Sequence, residues 1–220
     1  MLEHIEITNA QISPKGKAAD ALGYFQSALK PPETLGEARH PLANCGDIYF
    51  YLGKTYAALG QKAQARQWWR RAASTRGDFQ QMAVTQYSEM TLYTILALRE
   101  LGKMQAAEKL IRAVTAYAKK LECAPAKIDY FATSLPTLLL FEADMQAQQQ
   151  NTAQYLQAQM QFALGRKGAC AKLLARIVKS DPSNAPASEL LAEIMQGPPA
   201  AGKRKSQLPS DVAGFKLLNK

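Results

Sequence analysis

Apolar residues recur along this chain at helical spacing, and small residues interrupt them at fixed offsets. The clearest stretch runs from Gly46 to Asp78. It carries Tyr49, Leu52-Gly53, Tyr56, Leu59-Gly60, Ala65, Trp69 and Ala72. Small residues at 53, 65 and 72 let two antiparallel helices approach closely, while Tyr49, Tyr56 and Trp69 fill the space between them. Gly60 supplies the left-handed backbone that ends the first helix. The frame returns at Leu101-Gly102 with Ala107 and Ile111, and at Leu164-Gly165 with Cys170, Leu174 and a closing Asp181-Pro182. Upstream, Gly16 precedes Ala21, Phe25 and Ala28, with Pro31-Pro32 beyond.

Periodicity and Pro/Gly punctuation together predict helices near 2–12, 16–30, 46–60, 62–75, 79–101, 104–121, 126–148, 150–165, 167–180 and 186–196. The stretch from Lys30 to Asn44, with Pro31, Pro32, Gly36 and Pro41, reads as an ordered loop. No strand pattern of period two is sustained. Gly197-Pro198-Pro199 stops the last helix, so residues 1–196 are expected to form one helical-repeat domain and 197–220 a mobile basic tail.

The unit from Gly46 to Asp78 resembles the tetratricopeptide repeat in register. The resemblance implies an all-α fold, a right-handed solenoid of about ten helices stacked as hairpins. The turn glycines at 16, 60, 102 and 165 lie farther apart than the ~34 residues of the standard unit. Long helices in some units, and an extra helix between Leu121 and Gln149, account for the difference.

Two segments are similar to something narrower. They are Pro32-x-x-Leu35-Gly36-Glu37-Ala38-Arg39 with Asp47 to Gly53, and Ile128-Asp129-Tyr130-Phe131-Ala132-Thr133-Ser134-Leu135-Pro136 leading to Phe141, Glu142 and Asp144. Over roughly residues 15–195 they resemble the C-terminal helical region of large bacterial proteins, the YphG-like proteins, whose N-terminal part is a mutarotase-like β-sandwich. That resemblance implies a docking or scaffold role. It also implies that the β-sandwich is missing here, so that the chain is a separately encoded fragment, a remnant or a trimmed product. The Asp129 to Pro136 segment reads either as a corner where Pro136 bends a helix or as a ligand site.

The chain has 220 residues, a formal charge of +9 and 47% apolar residues, enough to bury a sizeable core. Part of the positive charge sits in the tail, at Lys203, Arg204, Lys205, Lys216 and Lys220. The rest alternates with acidic residues along helices, as on solvated faces. The N-terminus lacks the basic and apolar regions of a secretory signal, and no apolar run approaches the ~20 residues of a membrane span. The expectation is a cytoplasmic protein without membrane association. Cys45, Cys123 and Cys170 form no CxxC pair and read as small buried apolar residues.

Chemistry is sparse. His4 and His40 stand far apart, with no cysteine nearby, which argues against a metal site and against a Ser-His-Asp arrangement. Gly165-Arg166-Lys167-Gly168 lacks the spacing of a phosphate loop. Glu142 and Asp144, two apart on a helix, point to different sides. Trp68 reads as a packing residue beside Trp69. Arg66, Arg70, Arg71 and Arg76 read as a solvated outer face in preference to a phosphate patch. Nothing implies a cofactor.

In a stack of helical hairpins the first helices line the concave side. The partner-binding positions expected there are Asp47, Phe50, Lys54 and Ala57 in the first unit. They are Glu89, Leu92, Leu96 and Arg99 in the next, and Thr152, Tyr155, Gln159 and Phe162 in the last. This mixture suits a protein or peptide partner. The primary expectation is a non-catalytic scaffold. An accessory module docking on a separate carbohydrate-related β-sandwich partner is the first alternative. Non-specific polyanion binding by the tail is the second, with sequence-specific nucleic-acid binding disfavoured. The apolar Leu2, Ile5, Ile7 and Ile12 leave a homodimer open.

Overall fold

The computed structural model describes residues 15–30, 43–80, 83–126 and 145–196. Helices make up 78% of the described residues, in eight segments. They are α1 (Lys15–Leu29), α2 (Gly46–Ala58), α3 (Lys62–Ser74), α4 (Thr91–Glu100), α5 (Met104–Cys123), α6 (Met145–Ala163), α7 (Lys167–Ser180) and α8 (Ala185–Gln196). A two-stranded hairpin, β1 (Asp78–Gln80) and β2 (Ala83–Thr85), lies between α3 and α4.

One turn is built three times. At the end of α2, Gly60 N–H bonds to Ala57 O at 3.0 Å and Gln61 N–H to Tyr56 O at 2.8 Å. The pair recurs after α4 (Gly102 to Arg99, Lys103 to Leu98) and after α6 (Gly165 to Phe162, Arg166 to Gln161). This is the glycine-terminated helix end, which needs a left-handed residue, and Gly60, Gly102 and Gly165 have φ of 80°, 75° and 74°. The helix that follows each turn buries a small residue five positions on, at Ala65, Ala107 and Cys170, and a large one nine positions on, at Trp69, Ile111 and Leu174. The sequence spacing and the packing thus coincide in all three hairpins.

Each helix packs on the one before and the one after it, and α2 also meets α4, as α4 meets α6. The main core cluster runs through α2 to α6, a second joins α6, α7 and α8, and a third joins α1 to α2 and α3. Trp68 lies half-buried in the third, its ring 5.8 Å from Tyr49 and under the Arg71 guanidinium. Arg66 and Arg70 are exposed, whereas Arg76 caps the end of α3 by donating to Ala73 O at 3.0 Å and Thr75 O at 2.6 Å.

Three expectations are corrected. The single helix expected over 79–101 is instead a hairpin followed by the shorter α4. Gly77 adopts φ 63°, which turns the chain out of α3, and Phe79 then pairs with Val84 in a ladder too short to show period two. Ser88 opens α4: its hydroxyl accepts from Met90 N–H, and its own N–H bonds to Thr91 Oγ1. Next, Gly16 lies inside α1 and is not a turn residue ahead of it. Finally, of the cysteines only Cys170 is buried; Cys45 is half-buried and Cys123 exposed.

The helix expected at 150–165 starts earlier, at Met145. The expected helix 2–12, the tail, most of the loop 30–44 and of the helix 126–148, the Asp129 to Pro136 segment, Glu142, Asp144 and both histidines lie outside the described residues.

Candidate functional site

Four of the expected groove residues are interior. Asp47 is 6% exposed, Phe50 7%, Leu92 5% and Gln159 3%. Because α4 packs on both α2 and α6, the positions between them close over: Phe50 lies against Tyr51 and Tyr93, with ring centroids 5.5 and 6.1 Å away. Glu89, Leu96, Arg99, Tyr155 and Phe162 are half-buried, and Lys54, Ala57 and Thr152 exposed. Lys54 reaches across from α2 to α4 in a salt bridge to Glu100 at 3.1 Å.

What the structure brings together instead is a trough of about 920 Å³. One wall is the turn entering α4, with Tyr87, Ser88 and Glu89. The floor is the end of α5 and the first half of α6, with Tyr117, Leu121, Gln148, Gln149, Thr152 and Tyr155. The far wall is the α7–α8 turn, with Asp181, Ser183, Asn184 and Pro186. Of the expected positions, Glu89, Thr152 and Tyr155 line it.

Local chemistry holds each wall. Gln149 Nε2 donates to carbonyls at the end of α5, Leu121 O at 2.9 Å and Ala124 O at 2.6 Å, while Gln146 donates its Nε2 to Ala124 O at 3.2 Å and accepts Ala126 N–H on Oε1 at 2.8 Å. These amides satisfy a helix end that has no partners within its own helix. Tyr87 and Tyr117 meet edge to face at 5.3 Å. Asn184 Oδ1 caps α8 by accepting from Ala187 N–H, and Ser183 donates its hydroxyl to Asp181 Oδ1 at 2.6 Å.

No protein-family model matches the sequence, and no solved structure matches the chain. The trough's chemistry therefore rests on its own residues.

Burial, and after it the charges of Asp78 and Asp47, raise the carboxyl of Glu89 above the usual range. Burial and then Glu89 hold the Tyr155 hydroxyl well above an ordinary phenol, while the Gln159 amide pulls the other way. Hydrogen bonds from the Ser183 hydroxyl, and then from Asn184, hold Asp181 below the usual carboxylate range, so it stays ionised. Farther along the first helices, Tyr51 is pushed up to about 12 by burial and then by the charge of Glu193 on α8. Tyr93, its ring 5.7 Å from Tyr51, is raised by burial and that neighbour.

Sequence reasoning missed Tyr51, Tyr87, Tyr93 and Tyr117. The first and third sit one position past Phe50 and Leu92, a turn of about 100° around the helix axis, and they keep part of their rings accessible. Among the described residues no group of three or more His, Cys, Asp or Glu is placed to hold a metal ion. No helix there is long and apolar enough to cross a membrane.

Proposed function

We propose that the chain is a tetratricopeptide-type protein, a right-handed solenoid of helical hairpins, and that it binds a protein partner without catalysing a reaction. The observation that carries this reading is the threefold turn: the same glycine end, with the same small and large residues at the same offsets behind it, makes one hairpin unit repeat. A stack of such units buries a continuous core and leaves its first helices to line a hollow. The trough adds support, since its exposed hydroxyls and amides lie beside tyrosine rings in the manner of a polypeptide-binding surface. The likeness to the YphG-like helical region and a cytoplasmic location belong to the same proposal and rest on the sequence.

The test is affinity capture with identified partners. Thr152→Trp, which fills the trough from an exposed position, and Tyr155→Ala should abolish capture of at least one partner that Arg70→Ala on α3 retains. Capture unchanged by both trough variants would remove the reading. Phe50→Ala is unsuitable for this purpose because it opens a cavity in the core.

A further inference from the structure

The described lining of the trough has a charge character opposite to that of the chain. Lys and Arg make up 27 of the 220 residues, against 18 Asp and Glu. Yet no described residue lining the trough is basic, while Glu89 and Asp181 both open onto it. Neither carboxylate forms an ion pair with a described residue. Three tyrosines, Tyr87, Tyr117 and Tyr155, share the same lining.

Gln159 stands behind this wall and does not line the trough. Gln159 is buried behind Glu89 and Tyr155, where its Nε2 donates to the Glu89 carbonyl at 3.2 Å. Its Oε1 has no donor among the described residues. The described lining thus joins two carboxylates and three aromatic faces with neutral hydroxyls and amides, and holds no cation. Ammonium and guanidinium groups bring three to five N–H donors, bind carboxylates through charge-assisted bonds and lie over tyrosine faces. Among the described residues, phosphate-bearing partners meet two carboxylates and no cation there, so this lining disfavours nucleic acid.

Resting on the docking reading above, we propose that the trough takes a lysine- or arginine-bearing segment of a partner protein. Glu89 and Asp181 answer its cationic heads, and the tyrosine rings receive the aliphatic stems. Electrostatic complementarity of this kind sets partner choice and association rate more than it sets raw affinity. The occupant is extended, because the volume exceeds a single side chain and the wall offers Asn151, Thr152 and Asn184 to main-chain groups.

The experiment is fluorescence anisotropy of the full chain with two labelled ten-residue peptides. One alternates Lys and Arg with Gly and Ser, and the other has Glu at every basic position. The basic peptide should bind, with an affinity that falls as salt rises, and the acidic peptide should not. Glu89→Gln and Asp181→Asn should each weaken binding about threefold, and together about tenfold, as expected for partly exposed ion pairs. Glu108→Gln on the exposed side of α5 should leave it unchanged. Equal binding of both peptides, no binding of either, or indifference to the two trough substitutions overturns the proposal. Binding that appears only once Lys203, Arg204 and Lys205 are all changed to Ala assigns the trough to this chain's own tail, and overturns it too. A partner whose capture is lost on Thr152→Trp but not on Glu89→Gln with Asp181→Asn leaves the docking reading standing and removes only the cationic occupant.

Discussion

The indole of Trp69 on α3 lies against the backbone of Gly53 on α2, so closely that a Cβ at Gly53 would overlap Trp69 Cδ1 and Nε1 and come 2.9 Å from Cε2. The large residue of one helix thus fits the absence of a side chain on the other. Trp69 Nε1 is buried there without an acceptor among the described residues, a cost accepted for the fit.

Gly53→Ala should therefore destabilise the protein by about 1–3 kcal/mol, the range for overpacking, although alanine is the better helix former. Trp69→Phe should cost less than the about 3–5 kcal/mol expected of Trp69→Ala, since it also removes the orphan N–H. Denaturant unfolding of the three variants checks this; a Gly53→Ala protein as stable as the parent would mean that the indole has room to move.

Gly102 separates backbone strain from packing. It has φ 75° and nothing within 4 Å of where a Cβ would stand. Gly102→Ala should cost about 1 kcal/mol, the conformational penalty alone. Thermal unfolding should show a drop of a few degrees, with helix content by circular dichroism unchanged.

The thiols should differ in reactivity. Burial pushes the Cys170 thiol up to about 11, whereas Cys123 is exposed at the end of α5. Thiolate is the reactive form. Native protein should lose Cys123 promptly to a thiol reagent, and Cys170 only after unfolding; mass mapping of the labelled sites distinguishes them.

Glu89 should oppose folding at neutral pH. Its folded pKa lies above the unfolded value because of burial, Asp78 and Asp47, so its favourable contribution is present below the unfolded pKa, about 4.3. That contribution is lost as pH rises through the folded pKa. Glu89→Gln should accordingly raise the melting temperature at pH 7, with the advantage fading as pH falls toward about 4. Equal melting curves at pH 7 would show that the carboxylate is not held against its preference. A stabilising change that weakens the binding of a basic segment is the pattern of a charge kept for function at the expense of stability.

The hairpin turns were legible along the chain because glycine, alanine and a bulky residue at fixed offsets act within one pair of helices. Ala65, Ala107 and Cys170 are buried as the spacing predicted. The interval from Asp78 to Thr85 was not, since a three-residue ladder is too brief for periodicity. Its identity depends on Gly77 and on Asn44, which donates its amide to Gly77 O at 2.8 Å from far earlier in the chain.

Local pattern was enough to settle the helical class, the glycine turns at Gly60, Gly102 and Gly165 and most helix bounds, because those follow from dihedral preference and the burial of one helical face. The accessible surface was not available from that pattern. Whether Phe50, Leu92 and Gln159 face solvent depends on how closely α2, α4 and α6 approach, and that distance is set by side chains contributed from several helices at once. The trough likewise combines residues from 85 to 186, and only their convergence in space makes one acidic, tyrosine-lined surface out of separate helix ends.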